Sequence, residues 1–281
     1  MQEKIFTIGQ KKIAAKIWGL ETNPPILALH GWLDNAASFD YLAPLLPNHY
    51  IIAIDFPGHG YSSHIPAECY FQFIDYVGDI IYLADKLGWK QYSLLGHSMG
   101  GAIATLVAGT TPECILKLGL LDALGPLSLE PDETPPRVRQ AFSRFATMND
   151  KKRNSYESID AAVAARLRAN RMEEFSAHSL VLRNLEEKNQ RFHWRTDSRL
   201  FLPSLLMLTE EQVHAFLEAI TAKTCFIHAK EGWPFGEDVL EKRLSKIKNL
   251  DFYSISGHHH IHMDEAARVA RILRPFFEAQ D

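Results

Sequence analysis

The sequence predicts an α/β fold: a mostly parallel sheet flanked by helices, with a long helical insertion between two sheet strands. Three observations carry this expectation. Apolar runs such as Ile26-Leu27-Ala28-Leu29 and Ile51-Ile52-Ala53-Ile54 are continuous rather than alternating, the pattern of strands buried on both faces. These runs alternate with stretches of helical periodicity, as in a doubly wound sheet. The rhythm then stops between residues 126 and 205 and resumes afterwards, and an interval of that length is too long for a simple loop.

The elements follow in order. Residues 4–18 alternate around Gly9-Gln10 and read as an antiparallel hairpin with strands at 5–8 and 12–17. Buried strands are expected at 25–29 and 50–54, with a short helix at 36–46 between them. Residues 73–87 place Ile74, Val77, Ile80, Ile81 and Leu83 at helical spacing, and Gly88 closes the helix. A strand at 92–95 leads into Gly96-His97-Ser98-Met99-Gly100, and a helix-forming run at 102–108 leads out of it. Residues 115–121 form the next strand, ending in Asp122.

The insertion is punctuated early by Pro131, Pro135 and Pro136 and then reads as helical at 158–169 and 171–185. Its recurring aromatic and aliphatic residues argue against a disordered linker. We therefore divide the chain into a core of residues 1–125 and 206–281 and a helical cap of residues 126–205. After the cap come a helix at 210–220, a strand at 224–229, a helix at 239–247, a strand at 250–255 and a C-terminal helix at 264–277.

Composition narrows the function classes. The chain has 281 residues, 46% of them hydrophobic, which is ample for a sizeable core. A net charge of −4 gives no electrostatic reason to expect nucleic acid or an anionic membrane as a partner. Three scattered cysteines, Cys69, Cys114 and Cys225, lack metal-ligand spacing and suit buried thiols in a reducing compartment. The first residues lack a basic head followed by an apolar core, and no run is long enough to span a membrane. A cytoplasmic location is the expectation.

The chemistry centres on Ser98. In a sharp strand-to-helix turn, a serine flanked by glycines is held in a strained conformation with its hydroxyl lifted to the carboxyl edge of the sheet. The amide of Met99 then lies at a helix N-terminus, where donors are unsatisfied and the dipole favours negative charge. A serine hydroxyl attacks a carbonyl only when a base removes its proton, so a histidine must approach it. The chain has 13 histidines, and four of them, His258, His259, His260 and His262, follow the last strand.

Taken together, the serine turn, His30-Gly31-Trp32, the turn from Asp55 to Ser62 and the late Gly257-His258-His259 resemble the α/β-hydrolase superfamily over nearly the whole chain. His30-Gly31-Trp32-Leu33-Asp34-Asn35 and Leu121-Asp122-Ala123-Leu124-Gly125 are similar to its serine hydrolase-like group. The resemblance implies a base on the loop after the last strand, in a pattern of Gly-x-His with an acid five positions on and a valine five beyond. His259, Asp264 and Val269 fit.

The resemblance also implies an orienting acid, and here the chain departs from the commonest pattern. Family members place an aspartate shortly after the strand that follows the cap, but Ala229-Lys230-Glu231-Gly232 has glycine at that place and Glu231 one position early. A second family arrangement puts the acid after the preceding strand, where Asp122 stands, so Asp122 is favoured with Glu231 as the alternative. The oxyanion hole is expected from the main-chain N–H groups of Met99 and Trp32. His30, Gly31, Trp32 and His97 are expected around the substrate, while Asp55 to Ser62 reads as structural.

No cofactor is implied. Closely spaced histidines can ligate zinc, but no H-E-x-x-H or similar pattern supplies the other ligands. The leading expectation is an esterase-type serine hydrolase acting on a small-molecule acyl compound. Carbon–carbon bond and thioester hydrolysis are alternatives within the class, and a catalytically silent ligand-binding relative is the alternative outside it.

Overall fold

The computed structural model describes residues 1–148 and 155–279. The N-terminal hairpin pairs β1 (Gln2–Ile8) with β2 (Lys11–Trp18) and turns at Gly9, whose φ of +57° is one that glycine adopts without strain. Next come β3 (Pro25–Leu29), β4 (Tyr50–Ile54), α1 (Phe73–Lys86), β5 (Tyr92–His97), α2 (Met99–Thr110) and β6 (Ile115–Leu121). The interval before the sheet resumes holds α3 (Thr134–Ala146), β7 (Ser155–Tyr156), α4 (Ile159–Ala169), α5 (Glu174–Asn184), β8 (Leu185–Lys188) and β9 (Arg191–Trp194). The chain ends with α6 (Glu210–Ala219), β10 (Lys223–Glu231), α7 (Glu237–Leu244), β11 (Leu250–His258), α8 (Ile261–Asp264) and α9 (Ala266–Glu278).

The main sheet has eight strands in the order β1-β2-β4-β3-β5-β6-β10-β11. Its hairpin and the β2–β4 pairing are antiparallel, and every pairing from β4 to β11 is parallel. Parallel strands need crossovers, and these put helices on both faces. One face packs Leu27, Ile52, Leu94 and Phe226 against Val77, Ile80 and Leu83 of α1, Ile103 and Val107 of α2 and Val213 and Leu217 of α6. The other packs Ile26, Ile51, Leu95 and Ile227 against Phe39, Leu42 and, on α9, Val269, Leu273 and Phe276. Full burial of each such side chain contributes about 1.5–3 kcal/mol, so α9 alone anchors its end of the sheet by several kcal/mol.

The differences from the sequence reading have local causes. Instead of a helix at 36–46 there are two 3₁₀ turns, Ala36–Phe39 and Ala43–Leu45. Pro44 is the second residue of the second turn and has no N–H to donate back into a continuing helix. The C-terminal helix begins as the separate turn α8 before α9. The inserted segment also contains a three-stranded antiparallel sheet, β7-β9-β8, in addition to its helices. Asn189 and Gln190, both at positive φ, make the two-residue turn between β8 and β9, a signal weaker to read than Asn-Gly.

The segment has its own apolar cluster of Ala162, Val163, Ala177, Val181 and Leu185. It is tied to the sheet by polar bonds. Asn35 donates to the Leu180 carbonyl at 2.8 Å, Arg183 reaches the buried Asp55 carboxylate at 2.9 Å, and the Trp32 indole donates to the Leu200 carbonyl at 3.1 Å.

Candidate active site

Parallel strands deliver their following residues to one edge. β5 ends at His97 and hands over to Ser98, β6 ends at Leu121 before Asp122, and β11 ends at His258 before His259. Cross-strand bonds fix the depth of each loop: the Ser98 amide donates to the Leu121 carbonyl at 3.1 Å, and the Asp122 amide to the Ile227 carbonyl at 2.8 Å.

The turn at Ser98 is strained. Its φ and ψ are +50° and −119°, in a region that non-glycine residues avoid. The turn is tight because its neighbours lack side chains: a Cβ on Gly100 would overlap the Leu29 carbonyl, and one on Gly96 would collide with Gly100. Ser98 occupies the N-cap position of α2 but makes no capping bond with its side chain. The hydroxyl instead lies 2.8 Å from His259 Nε2.

His259 completes a three-residue chain. Its Nδ1 is 2.6 Å from Asp122 Oδ2, and because an ionised carboxylate only accepts, Nδ1 carries the proton and Nε2 is free to accept from Ser98. Asp122 is almost fully enclosed, with φ of +49°. Burial works to raise the pKa of its carboxyl, but bonds from His228, His259 and the Trp233 amide outweigh burial and hold it well below the usual carboxylate range. Besides His259, the carboxylate accepts from His228 Nδ1 at 3.0 Å, the Ala229 amide at 3.0 Å and the Trp233 amide at 2.7 Å. A carboxylate this well satisfied stays charged and can hold His259 in one tautomer and stabilise its cation.

Glu231 lies elsewhere. Its carboxylate accepts from the Gly257 amide at 2.5 Å on the edge strand β11, so it braces the strand that leads to His259 without touching the imidazole. The glycine that breaks the commonest acid pattern has a steric reason: a Cβ on Gly232 would overlap Asp122 Oδ2. The carboxylate from β6 fills the space that a side chain at position 232 would take.

The other expected residues divide into two groups. Trp32 is half exposed, its ring 5.7 Å edge-to-face from Phe201, while Met99 opens α2 with its amide at the helix N-terminus. His30, Gly31 and His97, expected around the substrate, are all buried. His30 donates through Nδ1 to the Gly31 carbonyl at 2.7 Å and accepts the Phe56 amide at 3.0 Å, so it shapes the loop rather than the substrate surface. His97 donates through Nε2 to the His259 carbonyl at 2.8 Å. Desolvation lowers both histidines to about 4 and keeps them neutral. Asp55 behaves as structural, accepting from the Ala36 amide, the Tyr61 amide and Arg183.

Sequence reasoning missed a buried cluster beneath His259. Asp34, His97 and His260 each bring one potential ligand atom within 4.8 Å of the others. Arg166 of α4 pairs with Asp34 Oδ1 and stands 3.5 Å from His260 Nε2, so the negative charge is already met by a guanidinium. The signal lay in Asp34 and Arg166, but nothing local in the sequence joins residues 132 positions apart.

Fold and site together define a serine-centred α/β protein of the hydrolase type, and relatives narrow the class. The chain matches the α/β hydrolase fold family over residues 24–266. It is 35% identical to a serine hydrolase-like protein of Dictyostelium discoideum, covering 96% of this chain and 79% of that one. It is 32% identical to serine hydrolase-like protein 2 of Homo sapiens, covering 95% and 90%. A crystal structure of a hypothetical protein from Pseudomonas aeruginosa PAO1 superposes with a TM-score of 0.95 at 35% identity, covering 99% of this chain and all of that one. The chain belongs to the α/β-hydrolase fold family, in its serine hydrolase-like group.

Proposed function

We propose that the protein is a carboxylic-ester hydrolase with Ser98 as nucleophile, His259 as general base and acid, and Asp122 as the orienting acid. The observation that carries this reading is the hydrogen-bonded chain from Ser98 Oγ through His259 to Asp122, at 2.8 and 2.6 Å. His259 Nε2 takes the Ser98 proton as Oγ attacks the ester carbonyl. The tetrahedral oxyanion accepts from the main-chain N–H groups of Met99 and Trp32, each such donor contributing about 3 kcal/mol of transition-state stabilisation. The imidazolium then gives its proton to the leaving alkoxide, leaving an acyl-Ser98 and an alcohol. Water, deprotonated by His259, attacks the acyl carbon, and the acid leaves as Ser98 recovers its proton.

The substrate is a small molecule with an apolar acyl or alcohol group, a reading supported by exposed Trp32, Phe201 and Trp233. The Trp233 ring lies 5.8 Å from the imidazole of His259. The division into core and cap, with the cap shaping the pocket, belongs to the same proposal, as do a cytoplasmic setting and a reaction without cofactor or nucleic-acid partner. Among the described residues, no helix is long and apolar enough to cross a membrane. A chain-length series of nitrophenyl esters, with the matching thioesters, tests the reading. Ester turnover that vanishes in Ser98→Ala supports it, and preferential cleavage of the thioesters would move it to thioester hydrolysis.

A further inference from the structure

Directly beneath the imidazole of His259 lies the cluster around Asp34, which the proposed reaction does not use. Asp34 is 1% exposed. Its Oδ2 accepts from His260 Nε2 at 3.2 Å, and its Oδ1 is paired with the guanidinium of Arg166. Burial opposes its charge, but His260 and Arg166 hold the carboxyl well below its ordinary range. His260 is the chain neighbour of His259, so fixing its ring fixes the peptide that carries the base. A second bond grips that peptide from the nucleophile side: His97 Nε2 donates to the His259 carbonyl. Since a carbonyl only accepts, neutral His97 has a bare Nδ1, which lies 3.6 Å from Asp34 Oδ2 and makes no bond to it. The Asp34 and His97 braces are therefore separate, and both end on His259 and His260.

A metal ion among Asp34, His97 and His260 fits poorly. The nearby guanidinium already supplies the positive charge that the carboxylate requires, and a cation there would have to share the space with it. The cluster has the form of an ion-paired support.

We infer that Asp34 is a positioning residue for the base: it holds His260 from beneath and is held in turn by Arg166 of α4, so the inserted segment sets the orientation of His259. This rests on the reading of His259 as the base. The arrangement gives α4 a role in catalysis without any contact between Arg166 and substrate. Loss of the support lets the loop shift, and a misplacement of about 1 Å in a reacting group costs on the order of a hundredfold in rate.

The test compares Asp34→Asn and Arg166→Met with wild type in three readouts: kcat and KM for a nitrophenyl ester, far-UV circular dichroism, and the far-downfield proton resonance of the His259 Nδ1–H bond to Asp122. Asn keeps the shape of Asp34 but loses the charge that holds Arg166. The expected result is a native circular dichroism spectrum, a kcat lowered about ten- to a hundredfold, KM within about twofold, and a resonance shifted or exchange-broadened. Should Asp34→Asn not fold, Arg166→Met, altered on a partly exposed residue of α4, is judged by the same outcome. Folded variants with unchanged resonance, whatever their turnover, would overturn the inference. The resonance reads positioning without turnover, so a wild type that hydrolyses no ester contradicts the proposed function and leaves this test intact.

Discussion

At the residue scale, the acid is the position where the sequence alone leaves a choice, and in the structure the two candidates differ in what they touch. Asp122 touches the imidazole of His259, whereas Glu231 spends its carboxylate on the Gly257 amide. Asp122→Asn is expected to lower kcat by about 10³–10⁴, because the neutral amide no longer holds the tautomer or stabilises the cation. Glu231→Gln is expected to stay within about threefold, since an amide oxygen can still accept from Gly257. Steady-state kinetics on both variants checks this; a severe loss in Glu231→Gln with a mild one in Asp122→Asn would reverse the assignment. A stricter trial uses the space argument: in an Asp122→Gly background, Gly232→Asp should recover at least part of the lost kcat, because the carboxylate would re-enter the same site from β10. Gly232→Ala with Asp122 intact should instead lower kcat, as its methyl overlaps Oδ2. This reciprocity was half visible beforehand, in a glycine standing where an acid is usual. Its cause was not, because the overlap joins residues 110 positions apart in sequence and depends on the register of β6 with β10.

At the element scale, the strand-to-helix turn is the feature the sequence conveyed best. Its glycines, the apolar strand before it and the helix-forming run after it are all local, and local signals survive without knowledge of the fold. Gly100→Ala should lower stability by about 3 kcal/mol or more, since the new Cβ meets the Leu29 backbone of the adjacent strand, which cannot give way as a side chain could. Urea unfolding at constant m-value measures it, and a midpoint unchanged from wild type would refute the packing argument. The buried strands and α1 were equally legible from their apolar patterns. The small sheet β7-β9-β8 was hidden, because Leu185–Lys188 and Arg191–Trp194 are short and charged, and they pair outside the main core. Likewise His30 and His97 sit in motif positions that look functional, yet whether such a side chain faces substrate or the interior is set by tertiary packing.

At the scale of the whole molecule, several neutral histidines are sealed inside. Desolvation lowers His30 and His97 to about 4 and His59 to about 3, and puts His262 well below its ordinary value. In the unfolded chain each would titrate near 6.5. Between those values the unfolded state binds protons that the native state does not, so stability is fully present above about pH 6.5 and falls as the pH drops toward 4. Each histidine contributes at most about 1.4 kcal/mol per pH unit to this slope. Urea midpoints should therefore decline steeply from pH 7 to pH 5, well before carboxylate protonation; midpoints that stay flat over that interval would show that these rings are not held neutral. His97 is among these rings and bonds the His259 carbonyl, so any loss of ester turnover in mild acid should track loss of this packing.

The proposed activity requires Ser98 to be activated by His259 and Asp122 at the carboxyl edge of the sheet. Incubation of the wild-type chain with a fluorophosphonate, followed by intact-mass and peptide mass spectrometry, tests it most directly. One covalent adduct per chain is expected, on Ser98, absent in Ser98→Ala and strongly slowed in Asp122→Asn. A folded wild type that forms no adduct, or one whose adduct persists in Ser98→Ala, would contradict it.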